Sequence, residues 1–165
     1  MIRDIRAAIR RADRMNFAPA FRLNLTSDLR WEAIRIPASI GSTEPLANYY
    51  PNIMTMFPEV QFYDYTKHTN RRNLPANYHL TFSRSESNDH MVEQMFAKGY
   101  NVAIVFDTPK NKPLPTMYKG RPVIDGRVHD LRFLDPQGVW VGLSALGDGK
   151  KDTSGFVVHT SKESN

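Results

Sequence analysis

The chain has no cysteine in its 165 residues. That excludes a disulfide framework, a thiolate metal site, iron–sulfur ligation and a cysteine nucleophile. It has no long apolar run, so no transmembrane helix is expected. No apolar core follows the first charges, so no signal peptide is expected either. There is no glycine-rich phosphate loop and no Gly-x-Ser-x-Gly elbow. The familiar nucleotide and serine-hydrolase chemistries therefore have no sequence support. Internal repeats and low-complexity tracts are also missing.

What is present suits a folded α/β domain. Hydrophobic residues make up 41% of the chain and aromatics 11%, enough for a sizeable core. The length predicts one domain over residues 1–160, with a frayed tail at 161–165. The formal charge is +5, and it is unevenly placed. Residues 1–30 carry seven arginines (3, 6, 10, 11, 14, 22 and 30) against three aspartates. Nearly all the excess charge thus lies in one segment. Such a segment attracts nucleic acid or another anionic partner; it also serves as an ordinary solvated helix face.

Ile2, Ile5, Ala8, Ile9, Ala12 and Met15 recur at helical spacing, with arginines opposite. This predicts an N-terminal amphipathic helix, ended by Asn16 and Pro19. Alternation over 20–26 predicts a first strand, with Phe21, Leu23 and Leu25 on one face. Residues 37–52 read as loop, and a short helix is expected around 46–57, broken by Pro51 and stopped by Pro58. Strands are expected at 60–66 and 78–83. A helix at 89–98 is capped by Asn88 or Asp89 and stopped at Gly99. The apolar run 101–106 follows as a buried parallel strand. Further strands are expected at 139–143 and 156–158. The whole reads as α/β: a mostly parallel, five- or six-stranded curved sheet, half-barrel-like, with the N-terminal helix against it.

Three of these strands finish in polar side chains. In parallel α/β sheets, ligands bind beyond the carboxyl ends of the strands. The pocket candidates are Asn24, Ser27 and Asp28; Asp64, Thr66 and Lys67; and Ser83, Ser85 and Glu86. Asp28 suits a base or a hydroxyl acceptor, or else a local cap. A carboxylate at Asp64 on an apolar face needs a partner, so an ion pair competes with a functional role. Ser83–Glu86 precede a helix whose amides suit an anion or simple capping. Asp125, His129, Asp130, Arg132 and Asp135 form a dense titratable cluster. There His129 and Asp130 resemble part of a phosphohydrolase metal set without the remaining ligands, and Arg132 suits a bidentate grip on an anion. No cofactor or metal set is read from the sequence.

Three ordered stretches carry a resemblance: Arg22–Glu32, Phe57–Lys67 and Leu74–Ser85, with 121–156 similar to the closing region of some relatives. On these the chain resembles a family of phage and mobile-element proteins, the gene product 88-like group. The resemblance implies a phage origin and a shared α/β partial-barrel scaffold, and with the absence of cysteine the expected setting is the cytoplasm of a host cell. Longer members carry a cysteine-bearing segment before the first strand. This chain has the arginine helix there instead, so no cluster role carries over.

Two functions follow as expectations. One is an accessory protein whose strand-end pocket takes a phosphate-bearing small molecule or nucleotide, to hydrolyse or to sequester it. The other is a non-catalytic module that meets nucleic acid or a host protein through Arg3, Arg6, Arg10 and Arg14. No membrane partner is expected.

Overall fold

The computed structural model describes residues 1–38 and 49–160. The expected tail at 161–165 and the start of the helix expected at 46–57 lie outside the described residues. Two compact units are present: Met1–Asp64 with Arg71–His79, and Tyr65–Asn70 with Leu80–Asn165.

Helix α1 spans Ile2–Met15. Asn16 ends it in a left-handed conformation at φ 56°, and its N–H reaches back to the Ala12 and Asp13 carbonyls. Asparagine tolerates that conformation better than other non-glycine residues. Ile5 is buried, whereas Met15 is 50% exposed. The apolar stripe is therefore covered at one end and open at the other.

Among the described residues ten strands follow: β1 Ala20–Arg22, β2 Ile36–Pro37, β3 Tyr49–Tyr50, β4 Gln61–Thr66, β5 Tyr78–Ser83, β6 Val102–Phe106, β7 Met117–Tyr118, β8 Arg121–Asp125, β9 Trp140–Ser144 and β10 Val157–Val158. Eight of them form one sheet in the order β1-β4-β5-β6-β9-β8-β7, with β10 also on β6. The pairs β1–β4, β5–β6, β6–β9, β8–β9 and β10–β6 are parallel. β7 and β8 form an antiparallel hairpin, and β2 pairs with β3 apart from the main sheet. The α/β class and the mostly parallel sheet agree with the sequence reading. The sheet holds more strands than the five or six expected, because the short β7 and β8 join it, and it is not closed into a barrel.

The first strand is shorter than alternation predicts. It stops at Arg22, and Leu25 is 81% exposed. The cause is Asn24, whose side-chain oxygen accepts from Ser27 Oγ, the Leu29 amide and the Trp31 indole. A carboxamide that collects three donors folds the following residues around itself, which a straight strand cannot do.

In the first unit, helix α2 (Ile53–Met56) begins after Pro51 rather than breaking at it. Asn52 and Thr55 form a reciprocal capping box. Asn77 ties the end of this helix down by donating to the Met54, Phe57 and Val60 carbonyls.

In the second unit, helix α3 is Val92–Ala97, preceded by a tight turn at Asp89–Met91 and followed by Gly99 at φ +86°. Its buried face meets Phe82, Val102, Ile104, Phe106, Tyr118, Trp140 and Val158. Trp140 is central to this core. Phe96 and Tyr118 meet it edge-on at 5.0 and 5.1 Å, and its indole N–H donates to the Tyr118 carbonyl.

β5 and β10 share one edge of β6. β5 pairs as far as Ser83 opposite Ala103, and β10 takes over at Val157 opposite Val105. Arg84 holds this handover. Its Nη1 donates to the Gly155 and Phe156 carbonyls, and its Nε to Asp89. Asp152 turns the preceding loop by accepting from Ser154, Gly155 and Val157. The Ser154 hydroxyl and these amides lower the Asp152 carboxyl to about 2.

Candidate functional site

The polar residues of the first unit form one buried network. Asp64 lies in the middle of β4 and is fully buried. One of its oxygens accepts from the Asn24 amide at 2.7 Å; the other accepts from Asn24 Nδ2 at 3.1 Å and Tyr78 Oη at 2.8 Å. Arg71 donates from Nη2 to that same tyrosine oxygen at 3.2 Å. Its guanidinium also grips Glu32 with two bonds, at 2.6 and 2.7 Å, and reaches Asp28 at 3.3 Å. The fork geometry is the strong form of this ion pair.

Burial pushes the Asp64 carboxyl up to about 6, against the lowering effect of Asn24, Tyr78 and the arginines. Burial also raises Tyr78 far above the ordinary phenol range, and the Asp64 charge adds to it. Burial disfavours the charge on Arg71, but the bonds and charge of Glu32 outweigh it and hold its pKa above the usual value. The network joins four of the pocket candidates, Asn24, Ser27, Asp28 and Asp64, and adds Trp31, Glu32, Arg71 and Tyr78. Its chemistry is internal: the Asp64 oxygens, the Asn24 carboxamide and the Arg71 fork are engaged by neighbours from the same unit.

The second-unit candidates divide among small local arrangements. Thr66 Oγ1 accepts from the His68 amide, and Lys67 sits 5.9 Å from the Phe156 ring centre. The turn after β5 closes on itself. Asn88 accepts from the Ser85 amide and donates to the Ser83 carbonyl, while the Ser85 and Ser87 hydroxyls pair. Glu86 is exposed. The helix beyond is only six residues long. No side chain caps the turn at Asp89–Met91 or α3, so the capping expected of Asn88 or Asp89 is replaced by bonds that turn Asn88 back onto Ser83 and Ser85.

Arg132 is fully buried. It donates to the His129 carbonyl, and its Nη1 lies 3.3 Å from Asp135. Burial raises the Asp135 carboxyl despite that arginine. Gly126 makes the room: a Cβ there would stand 2.6 Å from the Val141 side chain and 3.0 Å from Arg132 Nη1. His129 turns a ring nitrogen to Arg132, whereas Asp130 accepts from Tyr65 Oη at 3.0 Å. The His-Asp pair is therefore split between two neighbours. Among the described residues no group of three His, Asp or Glu side chains is placed to hold a metal ion.

An open cleft of about 390 Å³ does lie at the carboxyl end of β6, lined by Asp107, Thr108, Pro109, Pro113, Leu114, Pro115 and Thr160. Asp107 accepts from the Thr160 amide and hydroxyl and meets His159 at 3.0 Å. Arg127 fastens the loop that forms one wall, donating to Asp125, to Ser144 and to the Lys112 carbonyl. The sequence reading passed over these residues, although Asp107 directly follows the clearest buried strand.

The arginine face of α1 differs from all of this. At 100° per residue, Arg3, Arg6, Arg10 and Arg14 fall within about 80° of arc and span about 16 Å along the axis. All four are exposed. Five arginines elsewhere pair with acids: Arg71 with Glu32, Arg84 with Asp89, Arg121 with Glu93, Arg127 with Asp125, Arg132 with Asp135. Asp4, the acidic residue of the first turn, meets the terminal amine at 2.7 Å.

Fold and site together define a mostly parallel α/β protein with an arginine-faced N-terminal helix. The chain belongs to the gene product 88 family, whose model matches residues 1–160. No curated protein and no solved structure matches it.

Proposed function

We propose that the protein is a non-catalytic nucleic-acid-binding module that works through the arginine face of α1. The observation that carries this reading is the exposed row Arg3, Arg6, Arg10 and Arg14 on one arc of a single helix. A rigid helix holds these charges about 6 Å apart, close enough for successive ones to meet neighbouring phosphates. Each contact displaces condensed counterions, which gives affinity without sequence preference. The buried network around Asp64 supports the reading indirectly, since its polar groups are spent on holding the first unit together.

The test is fluorescence anisotropy with a labelled oligonucleotide. Replacing Arg3, Arg6, Arg10 and Arg14 together by glutamine preserves helix propensity. Binding is expected to fall at least roughly tenfold at low salt, with unchanged circular dichroism. Equal binding by the wild type and this variant would overturn the proposal.

One observation favours a second reading, a pocket for a phosphate-bearing small molecule. The cleft beside Asp107 and Thr160 lies at the carboxyl end of a parallel strand, the usual place for a ligand in such sheets. A thermal-shift screen with nucleotides and divalent metals is expected to raise Tm if this holds. Silence across the panel from a folded sample counts against it.

A further inference from the structure

The open end of the α1 stripe borders a second, apolar cleft. It measures about 320 Å³ and is lined by Ala8, Arg11, Ala12, Met15, Phe17, Pro19, Ala20 and Phe21. Phe17 is 64% exposed and Met15 50%. Phe21 is half-buried and backed by Phe62, with ring centres 6.1 Å apart. Large apolar groups left open beside a helix are a binding feature rather than a packing one. Arg11 stands in the wall of this cleft, and Arg14 lies about 60° from it around the helix. Arg14 is the member of the row nearest the cleft, whereas Arg3, Arg6 and Arg10 lie on the far side of the helix. The cleft floor offers aromatic and thioether surface, and its rim offers guanidinium groups.

We propose that this cleft takes the unstacked bases of single-stranded nucleic acid. It rests on the reading of the arginine face as a phosphate-binding surface, and it names the class of nucleic acid. Duplex DNA hides its base faces inside the stack, so it presents phosphates to the arginines and nothing to Phe17. A single strand presents both. Base–aromatic stacking accepts any base because every base has a π-face. Arg11 and Arg14, next to the cleft, hold the phosphates that flank a docked base. Charge decides the occupant: an uncharged apolar segment would gain nothing from this rim, whereas a polyanion with flat apolar faces uses both parts.

The test compares a labelled oligothymidylate with the duplex it forms with oligodeoxyadenylate, on the full chain. The wild type is expected to bind the single strand more tightly. Phe17→Ala is expected to weaken single-strand binding roughly tenfold and to leave duplex binding within about twofold, as phosphate contacts alone dictate. Phe17→Tyr, which keeps the ring, retains the preference. Phe17 is too exposed for its removal to threaten the fold. If both nucleic acids bind and Phe17→Ala changes neither, this inference falls while the arginine reading stands. If neither binds, both fall. Self-association in sedimentation velocity that Phe17→Ala abolishes would identify a second copy of the chain as the occupant and overturn the inference.

Discussion

Arg71→Met is expected to destabilise the protein by about 3–5 kcal/mol, the cost of removing one partner from a buried ion pair. The Arg71 side chain is fully buried, and that of Glu32 is 5% exposed. Glu32 loses two charge-assisted bonds, Tyr78 loses a donor, and Asp28 loses its contact. The methionine fills much of the volume, so the loss reports charge and hydrogen bonding rather than a cavity. Urea unfolding measures it directly. Pairing the change with Glu32→Gln should return part of the loss, because the stranded carboxylate is then gone. Arg71→Lys should restore the charge but not the fork, and lie in between. A loss below about 1 kcal/mol, the size of an exposed pair, would show that the network does not hold the unit.

The second large effect is a pH dependence centred on Asp64. In the unfolded chain its carboxyl titrates near 3.8, and in the folded chain at about 6. Between those values the folded chain keeps a proton that the unfolded chain has released, so stability falls as pH rises. The contribution is full below about 3.8 and gone above about 6. The span corresponds to roughly 3 kcal/mol. Asp107, Asp125 and Asp152 have lowered values and act in the opposite sense, so the wild-type profile mixes the two. Comparison with Asp64→Asn isolates the Asp64 part. The variant is less stable at any pH, because its amide must face the Asn24 side-chain donor. The stability gap between wild type and variant should be about 2 kcal/mol wider at about pH 4 than at about pH 7. A constant gap would mean that the Asp64 carboxyl titrates alike in the folded and unfolded chains, with its hydrogen bonds cancelling burial.

Much of the scaffold was legible in the sequence, for identifiable reasons. The stripe Ile2, Ile5, Ile9 and Ala12 gave α1 its period, and Asn16 gave it its end. The apolar run at β6 announced a strand flanked on both sides. The strand ends were harder. Phe21, Leu23 and Leu25 alternate as a strand should, but alternation does not show that Asn24 gathers donors from Ser27, Leu29 and Trp31. The need of Asp64 for a partner was legible; that Arg71 would join it through Tyr78, with Glu32 beyond, was not, because that chain of contacts links residues distant in sequence. His129 and Asp130 are adjacent in sequence, yet they serve different neighbours. Likewise the row of arginines was plain, whereas the cleft on the apolar side of the helix needed the bend from Asn16 through Pro19 to bring Phe17 and Phe21 alongside Ala8 and Met15.

The salt dependence of single-strand binding tests the arginine face most directly. Four phosphate contacts should give a slope of log K against log salt concentration of roughly −3. The variant with Arg3, Arg6, Arg10 and Arg14 replaced by glutamine should bind weakly, with a slope no steeper than about −1, the contact left to Arg11. A slope that is steep in both proteins, or flat in both, would contradict nucleic-acid binding through α1.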